Sequence, residues 1–357
     1  MRKGKGLKMK NNEKIQKVCV FYTPKETREI MRNEIQVSTF LKNPALIFGK
    51  LIPVTMNYKK DEITETLTHE EILKKVITKG EENRENKYKY LELVTKEMKK
   101  LNEEIQKGDF PFLSKIEKMV EDLQSSGYKI QKVEGKINWR LIVGLGAPHP
   151  QETSMTLHHI YGIPYIPGSA LKGVMRHWAI LKFAEMYKTL PGKKETPFEE
   201  AVKVVSQSLE HGENLGISII CKFENDENYR LERIAFSETV DMFGTRKNQG
   251  KIIFLDAYPS GNINLKIDIM NPHYPDYYSK SKHPGDWQRP KPIQFLTVED
   301  TKFVFYLGIR KNESFDLLRK ASLLFINALC EHGIGAKTSL GYGVFSAESI
   351  YVESIYK

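Results

Sequence analysis

Two short segments of this sequence combine glycines and cations in patterns that can bind anions. In residues 166–176, the helix-start segment, Ser169 is a favourable N-cap and predicts that a helix begins at Ala170. The free backbone N–H groups of a first helical turn attract anions, and two cations four residues apart share a helix face. The candidate contacts are Ser169, Lys172, Gly173 and Arg176. The pattern predicts a phosphate site; an ordinary capped helix with two surface cations is the alternative.

The second segment, the glycine-rich loop, spans Gly333–Gly343 and carries four glycines in eleven residues. So many glycines cost backbone entropy and therefore indicate a specific requirement. The spacing does not match the nucleotide-binding GxxxxGK[ST] motif, and the predicted order of helix, loop and strand is the reverse of that motif's order. A loop with exposed N–H groups and one lysine can form an anion-binding nest, while a tight structural turn is the alternative. The candidate contacts are Gly333, Gly335, Lys337, Thr338 and Gly341.

A third candidate is the stretch Asn271–Pro292, which is rich in proline and therefore cannot form a regular helix or a central strand. Its aromatic and basic residues alternate in a way that suits single-stranded RNA, through base stacking and phosphate contacts. A protein-docking loop and a rigid surface loop without a partner are the alternatives. The candidate contacts are Tyr274, Tyr277, Lys280, Trp287 and Arg289.

Three histidines, His149, His158 and His159, are the candidates for acid–base chemistry. A metal-independent ribonuclease needs a general base and a cation near the phosphorus, and a histidine with Lys172 would supply both. Histidines that pack or form hydrogen bonds are the favoured alternative, and two adjacent histidines in a strand would point to opposite faces. No metal-ligand spacing supports a zinc site. We therefore assign no catalytic residue, no metal and no cofactor.

The net charge of +10, from 55 Lys and Arg against 45 Asp and Glu, favours a polyanionic partner. The three cysteines are far apart, which argues against a disulfide framework and favours a reducing, cytoplasmic setting. No apolar run is long enough to span a bilayer, so no membrane partner is expected.

The pattern of elements favours an α+β fold. The order of strands and helices matches a ferredoxin-like (RRM-like) βαββαβ domain with insertions, with helices on one face of the sheet. The predicted elements are a strand over Ile137–Gly144, a helix from Ser169 to about Tyr187, a hairpin of Lys251–Tyr258 and Ile263–Met270, a strand over Lys302–Ile309, a helix over Phe315–His332 and a final strand that begins with Gly343–Ser346.

The composition changes near residue 135, and this change suggests three regions. Residues 1–17 are expected to be a basic, flexible tail. Residues 18–135 are rich in Lys and Glu and are expected to form a mostly helical extension that packs on the core. Residues 136–357 are expected to hold the ferredoxin-like domain. Whether residues 1–135 form an independent domain stays open.

Four stretches of the sequence resemble the RAMP superfamily of CRISPR-associated proteins. They are residues 144–150 (GLGAPHP), 158–169 (HHIYGIPYIPGS), 171–176 (LKGVMR) and the glycine-rich loop, with residues 271–274 (NPHY) and Tyr277-Tyr278 in agreement. Within the superfamily they resemble the sixth Cmr subunits of type III-B effector complexes. The resemblance is good over residues 136–348 and loose before them.

The resemblance implies a non-catalytic structural subunit that holds the 3′ part of a CRISPR RNA in an antiviral ribonucleoprotein. Its partners would be CRISPR RNA, target RNA, other Cmr RAMP subunits and the small helical subunit. The residues facing guide-RNA phosphates would be Lys172, Arg176, Gly335, Lys337 and Thr338. A metal-independent endoribonuclease that processes CRISPR repeat RNA is the alternative, and a pure protein scaffold with incidental charge is the third hypothesis.

Overall fold

The computed structural model divides the chain into two compact units, residues 1–94 and 95–357. The residues that the structure describes are 16–21, 43–49, 53–58, 82–107, 112–149, 152–223, 230–271, 283, 285, 290 and 292–355. The candidate contacts of the Asn271–Pro292 stretch, Tyr274, Tyr277, Lys280, Trp287 and Arg289, all lie outside them.

Within the described ranges the chain forms strands and helices in mixed order, which confirms the predicted α+β class. The strands are β1 (Gln16–Phe21), β2 (Pro53–Tyr58), β3 (Tyr128–Lys136), β4 (Arg140–Leu141), β5 (Ser218–Phe223), β6 (Arg230–Ala235), β7 (Ile253–Phe254), β8 (Tyr258–Pro259), β9 (Asn264–Met270), β10 (Ile293–Glu299), β11 (Lys302–Arg310) and β12 (Tyr351–Ile355). The helices are α1 (Pro44–Gly49), α2 (Glu82–Gln106), α3 (Phe112–Ser125), α4 (Gly168–Tyr187), α5 (Phe198–His211), α6 (Phe236–Phe243) and α7 (Phe315–Glu331).

In the first unit, β1 and β2 pair antiparallel, with Cys19 opposite Thr55. Most of the predicted basic tail lies outside the described residues, although its last two residues begin β1. The described residues of the region 18–135, which is expected to be mostly helical, thus include parts of β1, β2 and β3 as well as helices. Helix α2 agrees with the helical character expected of this region.

The main sheet of the second unit has the order β12–β3–β11–β7, with β8 also paired to β11, and every pair is antiparallel. Strand β11 is central in this sheet because it pairs with β3 on one side and with β7 and β8 on the other. Almost all of its side chains are buried, as expected of an apolar strand covered on both faces. Strand β3 pairs with β11 along its whole length. The compositional change at residue 135 therefore falls inside a continuous strand of this sheet.

Helices cover both faces of the main sheet, which corrects the expectation of helices on one face. Helix α3 packs through Val120 against Ile130, Val304 and Tyr306. On the other face, the Phe325 ring of α7 lies 5.1 Å from the Phe305 ring. Neighbouring residues of β11 point to opposite faces, so its apolar residues on both faces demand two covering layers.

Three predicted strand assignments are wrong. The strand expected over Ile137–Gly144 is only Arg140–Leu141. The expected hairpin does not form, because β7 and β8 pair with β11 whereas β9 pairs with β10. Residues Gly343–Ser346 make only an isolated bridge between Phe345 and Ile137, and the final strand is β12.

A second antiparallel sheet has the order β4–β10–β9. Strand β10 was not predicted, and it supplies Phe295, Leu296 and Val298 to the core. In contrast, the strand Lys302–Ile309 and the helix Phe315–His332 are confirmed to within one residue by β11 and α7. The second sheet lies beside the glycine-rich loop, since Phe295 packs with Ile142 and Tyr342 in one cluster.

Cys221 and Cys330 are free thiols. Burial raises the pKa of Cys221 to about 12 and that of Cys330 to about 11. Because the thiolate is the nucleophilic form, burial disfavours the reactive state of both groups.

Candidate nucleic-acid interface

The glycine-rich loop folds back on itself, so that its two ends meet. The N–H of Ile334 donates to the carbonyl oxygen of Gly343 at 2.9 Å. All four glycines have positive φ, but steric contact explains two of them most directly. A Cβ atom at Gly343 would lie 1.8 Å from the oxygen of Ile334, and one at Gly335 would lie 2.3 Å from the oxygen of Ile142. These two positions exclude any larger residue.

The loop is docked on the chain segment around β4. The N–H of Asn138 donates to Val344 at 2.8 Å, and the N–H of Gly343 donates to Arg140 at 2.6 Å. A third bond joins the N–H of Ala336 to the oxygen of Ile142 at 2.8 Å. The loop is therefore a fixed platform, and its register on β4 is set by backbone groups.

Four backbone N–H groups on the loop have no hydrogen-bond partner among the described residues: those of Gly335, Lys337, Thr338 and Ser339. Lys337 has φ +62° and directly precedes a 3-10 turn over Thr338–Leu340, and a left-handed residue next to right-handed ones can form an anion-binding nest. The Lys337 ammonium lies 5.5 Å from the centre of the Phe295 ring, which keeps the cation beside the loop. We call these four N–H groups and the Lys337 side chain the loop nest.

A network of partly buried ionic groups joins the glycine-rich loop to strands β9 and β10. The Arg140 guanidinium donates to Asp268 at 2.5 Å and to Glu299 at 3.3 Å, and the Tyr342 hydroxyl donates to Asp268 at 2.5 Å. Burial alone would raise the pKa of Asp268, but the hydrogen bonds from Tyr342 and Arg140 outweigh it and hold the pKa below its usual range. Burial and the Asp268 carboxylate raise the pKa of Tyr342. These groups tie the loop to the second sheet.

The helix-start segment differs from its prediction. Helix α4 begins at Gly168 with Pro167 at the N-cap position, and Ser169 makes no capping bond. The N–H of Gly168 donates instead to Asp256 Oδ1 at 2.7 Å. A Cβ atom at Gly168 would lie 2.3 Å from the oxygen of Phe254, so this glycine is required by packing. The prediction of a Ser169 cap is wrong because the helix begins one residue before Ser169, and its first N–H is bound by an acid distant in sequence.

The two candidate cations of α4, Lys172 and Arg176, differ in their ion pairing. Arg176 forms an ion pair at 3.5 Å with Glu210 of α5, which also holds Arg246 at 2.6 Å. Lys172 is half-buried and has no ion-pair partner in the described part of the chain. A Cβ atom at Gly173 would meet nothing within 4 Å in the described part of the chain, so no contact there explains this glycine. Among the described residues no contact joins Lys172 or Arg176 to Lys337.

His158 lies at a turn, and its contacts indicate a structural role. Its Nδ1 atom accepts hydrogen bonds from the N–H groups of Ile160 and Tyr161, at 3.3 and 3.4 Å. Burial and the neighbouring His159 lower the pKa of His158, which matches a neutral ring with Nδ1 as acceptor. The rings of His158 and His159 stack at 5.1 Å, so they do not point to opposite faces as residues of a strand would.

Sequence reasoning missed Asp256, Asp268 and Trp139. The two acids act on residues 88 and 74 positions away, and no local pattern carries such a pairing. Trp139 is 45% exposed beside the glycine-rich loop, and an isolated tryptophan before a short strand was its only signal. Among the described residues no group of three His, Cys, Asp or Glu side chains is placed to hold a metal ion. No helix in the same residues is long and apolar enough to cross a membrane.

Comparison with known proteins connects these features. The model of the RAMP superfamily matches residues 140–346, which is more than half of the chain. The "CRISPR system Cmr subunit Cmr6" of Pyrococcus furiosus is 38% identical over 229 residues, covering 58% of this chain and 65% of that protein. The "CRISPR system CMR subunit Cmr6" of Saccharolobus solfataricus is 20% identical over 341 residues, covering 93% of this chain and 97% of that protein.

Two solved structures are similar over large parts of the chain. The "Cryo-EM structure of the Type III-B Cmr-beta bound to cognate target RNA" contains a chain with 18% identity and a TM-score of 0.47, covering 82% of this chain and 79% of that one. The "Crystal structure of Cmr6 from Pyrococcus furiosus" has 31% identity and a TM-score of 0.38, covering 64% of this chain and 98% of that one. Both TM-scores are below 0.5, so the family assignment comes from the sequence comparisons.

The matched region contains the helix-start segment, the glycine-rich loop and strand β4, on which the loop is docked. The similarity to Cmr6 proteins confirms the resemblance to sixth Cmr subunits that the sequence motifs indicate. The chain belongs to the RAMP superfamily.

Proposed function

We propose that this chain is a non-catalytic subunit of a type III-B (Cmr) ribonucleoprotein, where it binds CRISPR RNA and holds its 3′ part. The observation that carries the proposal is the loop nest, in which unpartnered N–H groups and Lys337 lie on a rigidly docked loop. Phosphate oxygens satisfy such groups, whereas an apolar partner would bury them without hydrogen bonds. The net charge of +10 favours the same polyanion.

Similarity to the Cmr6 proteins supports the remaining parts of the proposal. The partners would be CRISPR RNA, target RNA, other Cmr RAMP subunits and the small helical subunit, in a cytoplasmic complex for antiviral defence. Ser169, Lys172 and Gly173 lie on accessible parts of α4, and we assign them a second RNA contact. Gly333 and Gly341 shape the loop, and Thr338 contributes to the nest.

The fold of residues 95–357 is proposed to be ferredoxin-like. Along the chain, β3, α4, β7 with β8, β11, α7 and β12 follow the βαββαβ order. The main sheet has the order β12, β3, β11 and β7 with β8, which is the order fourth, first, third and second of these strands. This is the strand order of ferredoxin-like sheets, and the second sheet with α5 and α6 would be insertions.

The non-catalytic part of the proposal is supported by the state of His158, the histidine most enclosed by aromatic rings. Its Nδ1 lone pair is already occupied by two backbone N–H groups, so it is not available to remove a proton. Incubation of the purified full chain with repeat RNA, without metal, should leave the RNA intact. Specific cleavage that disappears in His158→Ala or His159→Ala would establish the endoribonuclease alternative instead.

RNA binding is tested by a salt series with the full chain and a single-stranded RNA. On a log–log plot, Lys337→Ala should reduce the slope of affinity against salt by about 0.7, the value for one lost phosphate contact. Lys203→Ala removes the same charge from an exposed site on α5 and should leave the slope unchanged. Equal slopes for both variants and the unmodified chain would show that the loop nest does not contact RNA phosphates.

A further inference from the structure

Trp139 lies in the short link between β3 and β4, directly beside the glycine-rich loop. The link is held on both sides, because the N–H of Asn138 donates to Val344 and the oxygen of Arg140 accepts from the N–H of Gly343. The indole is nevertheless 45% exposed. A single exposed aromatic residue is ordinary on a protein surface, so its place and its neighbours must carry the interpretation.

The indole is held in position by two groups that are themselves fixed. The centre of the Trp139 ring lies 4.8 Å from that of Tyr342, with the two planes tilted by 57°. The Arg140 guanidinium carbon lies 5.1 Å from the indole centre. Both Arg140 and Tyr342 are hydrogen-bonded to Asp268 at 2.5 Å. A large side chain held in this way is a preorganised contact surface, because little conformational entropy is lost when a partner covers it.

The loop nest and the indole are joined through one residue. Tyr342 contacts Trp139 through its ring and donates its N–H to the oxygen of Lys337 at 3.4 Å. Anion-binding groups and an aromatic surface therefore lie side by side on a rigid platform. Single-stranded RNA presents the matching pair in every nucleotide, a phosphate and a base with a π-face.

We propose that Trp139 is a stacking platform for one base of the RNA whose phosphate binds the loop nest, an inference that rests on the proposed RNA-binding function. Leu340 is also exposed, by 64%, and a protein partner could use it together with Trp139. RNA is favoured because it satisfies the four unpartnered N–H groups, whereas apolar protein side chains would bury them unpaired. Stacking tolerates every base, so Trp139 adds affinity with little sequence preference.

The test compares an oligouridine with an abasic oligomer of the same length and phosphate number, using the full chain. The unmodified chain should bind the oligouridine at least about fivefold more tightly, as expected for one stacked base. Trp139→Ala should abolish that difference, and Trp139→Phe should keep most of it. Tyr351→Ala, which removes a 58% exposed aromatic side chain from β12, is the matched control and should change nothing.

A second measurement needs no variant. An RNA with 5-iodouridine should, on irradiation of the unmodified chain, crosslink to the peptide that contains Trp139. Absence of that crosslink together with equal binding of the two oligomers would overturn the stacking role, while a Lys337→Ala defect would keep the proposed function. If neither oligomer binds, the proposed function itself is overturned. A Trp139→Ala variant that binds RNA normally but loses Cmr subunits would show that Trp139 docks a protein.

Discussion

The glycine-rich loop and the helix-start segment look equivalent in sequence, since each joins glycines to basic residues, but the fold treats them in opposite ways. In the loop, four N–H groups have no hydrogen-bond partner among the described residues, and Lys337 lies beside an aromatic ring. At the start of α4, Asp256 occupies the Gly168 N–H and Glu210 neutralises Arg176. The acid near the loop has another role: Asp268 accepts a hydrogen bond from Tyr342 and so anchors the loop, and it pairs with none of the nest groups.

This difference shows that an anion site depends on the carboxylates around it as much as on its cations. Glycine and lysine spacing shows where N–H groups and charges lie along the chain. It does not show whether a distant carboxylate has already used them. Among the predicted contacts of α4, Lys172 is a cation without a described ion-pair partner, and it is therefore the residue there whose charge a phosphate could use most directly.

The largest expected effect comes from alanine at two glycines, one in each region. Gly343→Ala places a Cβ atom 1.8 Å from the oxygen of Ile334 at a φ of +69°. It should cost about 3 kcal/mol or more of the free energy of unfolding and disrupt the loop nest. Gly173→Ala meets nothing within 4 Å and should stabilise α4 by about 0.8–1 kcal/mol. Thermal unfolding and RNA affinity of both variants measure the contrast.

The two alanine variants also separate packing from binding. If Gly173→Ala raises the melting temperature yet weakens RNA binding, then RNA approaches α4 closely at that glycine and the region is a second contact. If RNA affinity is unchanged, Gly173 has no part in the interface. A stable Gly343→Ala variant with normal RNA affinity would contradict the structural account of the loop.

The sequence predicted the elements whose pattern is local and strong. Strand β11 and helix α7 are apolar enough, and bounded clearly enough, to be placed to within one residue. The hairpin of Lys251–Tyr258 and Ile263–Met270 failed because a turn signal shows that the chain bends, not which strand it then pairs with. Strand β9 pairs instead with β10, which begins 23 residues after β9 ends.

The candidate site was predicted at the level of segments but not at the level of partners. The need for glycine at Gly335 was foreseen, although its cause, contact with the Ile142 carbonyl, comes from a segment far away in the sequence. Ser169 looked like a cap because caps are judged from neighbouring residues, whereas the actual acceptor is Asp256. Trp139 was not singled out, since its contact with Tyr342 exists only after the loop has docked.

A smaller effect is expected from the acid beneath the loop. The folded-state pKa of Asp268 lies below its ordinary value of 3.8, so its contribution to stability is present above pH 3.8 and is lost as the pH falls through the folded-state pKa. Asp268→Asn should cost about 1–3 kcal/mol at neutral pH, and its melting temperature should fall less than that of the unmodified chain on acidification.

Tyr342→Phe provides the graded control for this effect. It removes one donor to Asp268 and leaves Arg140, so the pKa should move back toward 3.8 and the acid sensitivity should shrink only in part. Melting temperatures measured between about pH 6 and pH 3 give the comparison. Identical acid sensitivity in Asp268→Asn and the unmodified chain would mean that this carboxylate does not anchor the loop.

The smallest expected effect tests whether the two regions can be made alike. Glu210→Gln removes the charge that pairs with Arg176 and Arg246, which frees two cations on one side of α4. If RNA passes this helix, the affinity should rise and the salt slope should steepen by about 0.7 for each phosphate newly contacted. Glu121→Gln makes the same charge change at an exposed position of α3 and should leave the slope as it is. An unchanged slope in Glu210→Gln would mean that RNA contacts neither Arg176 nor Arg246, because arginines freed beside a bound phosphate backbone would add to the salt dependence.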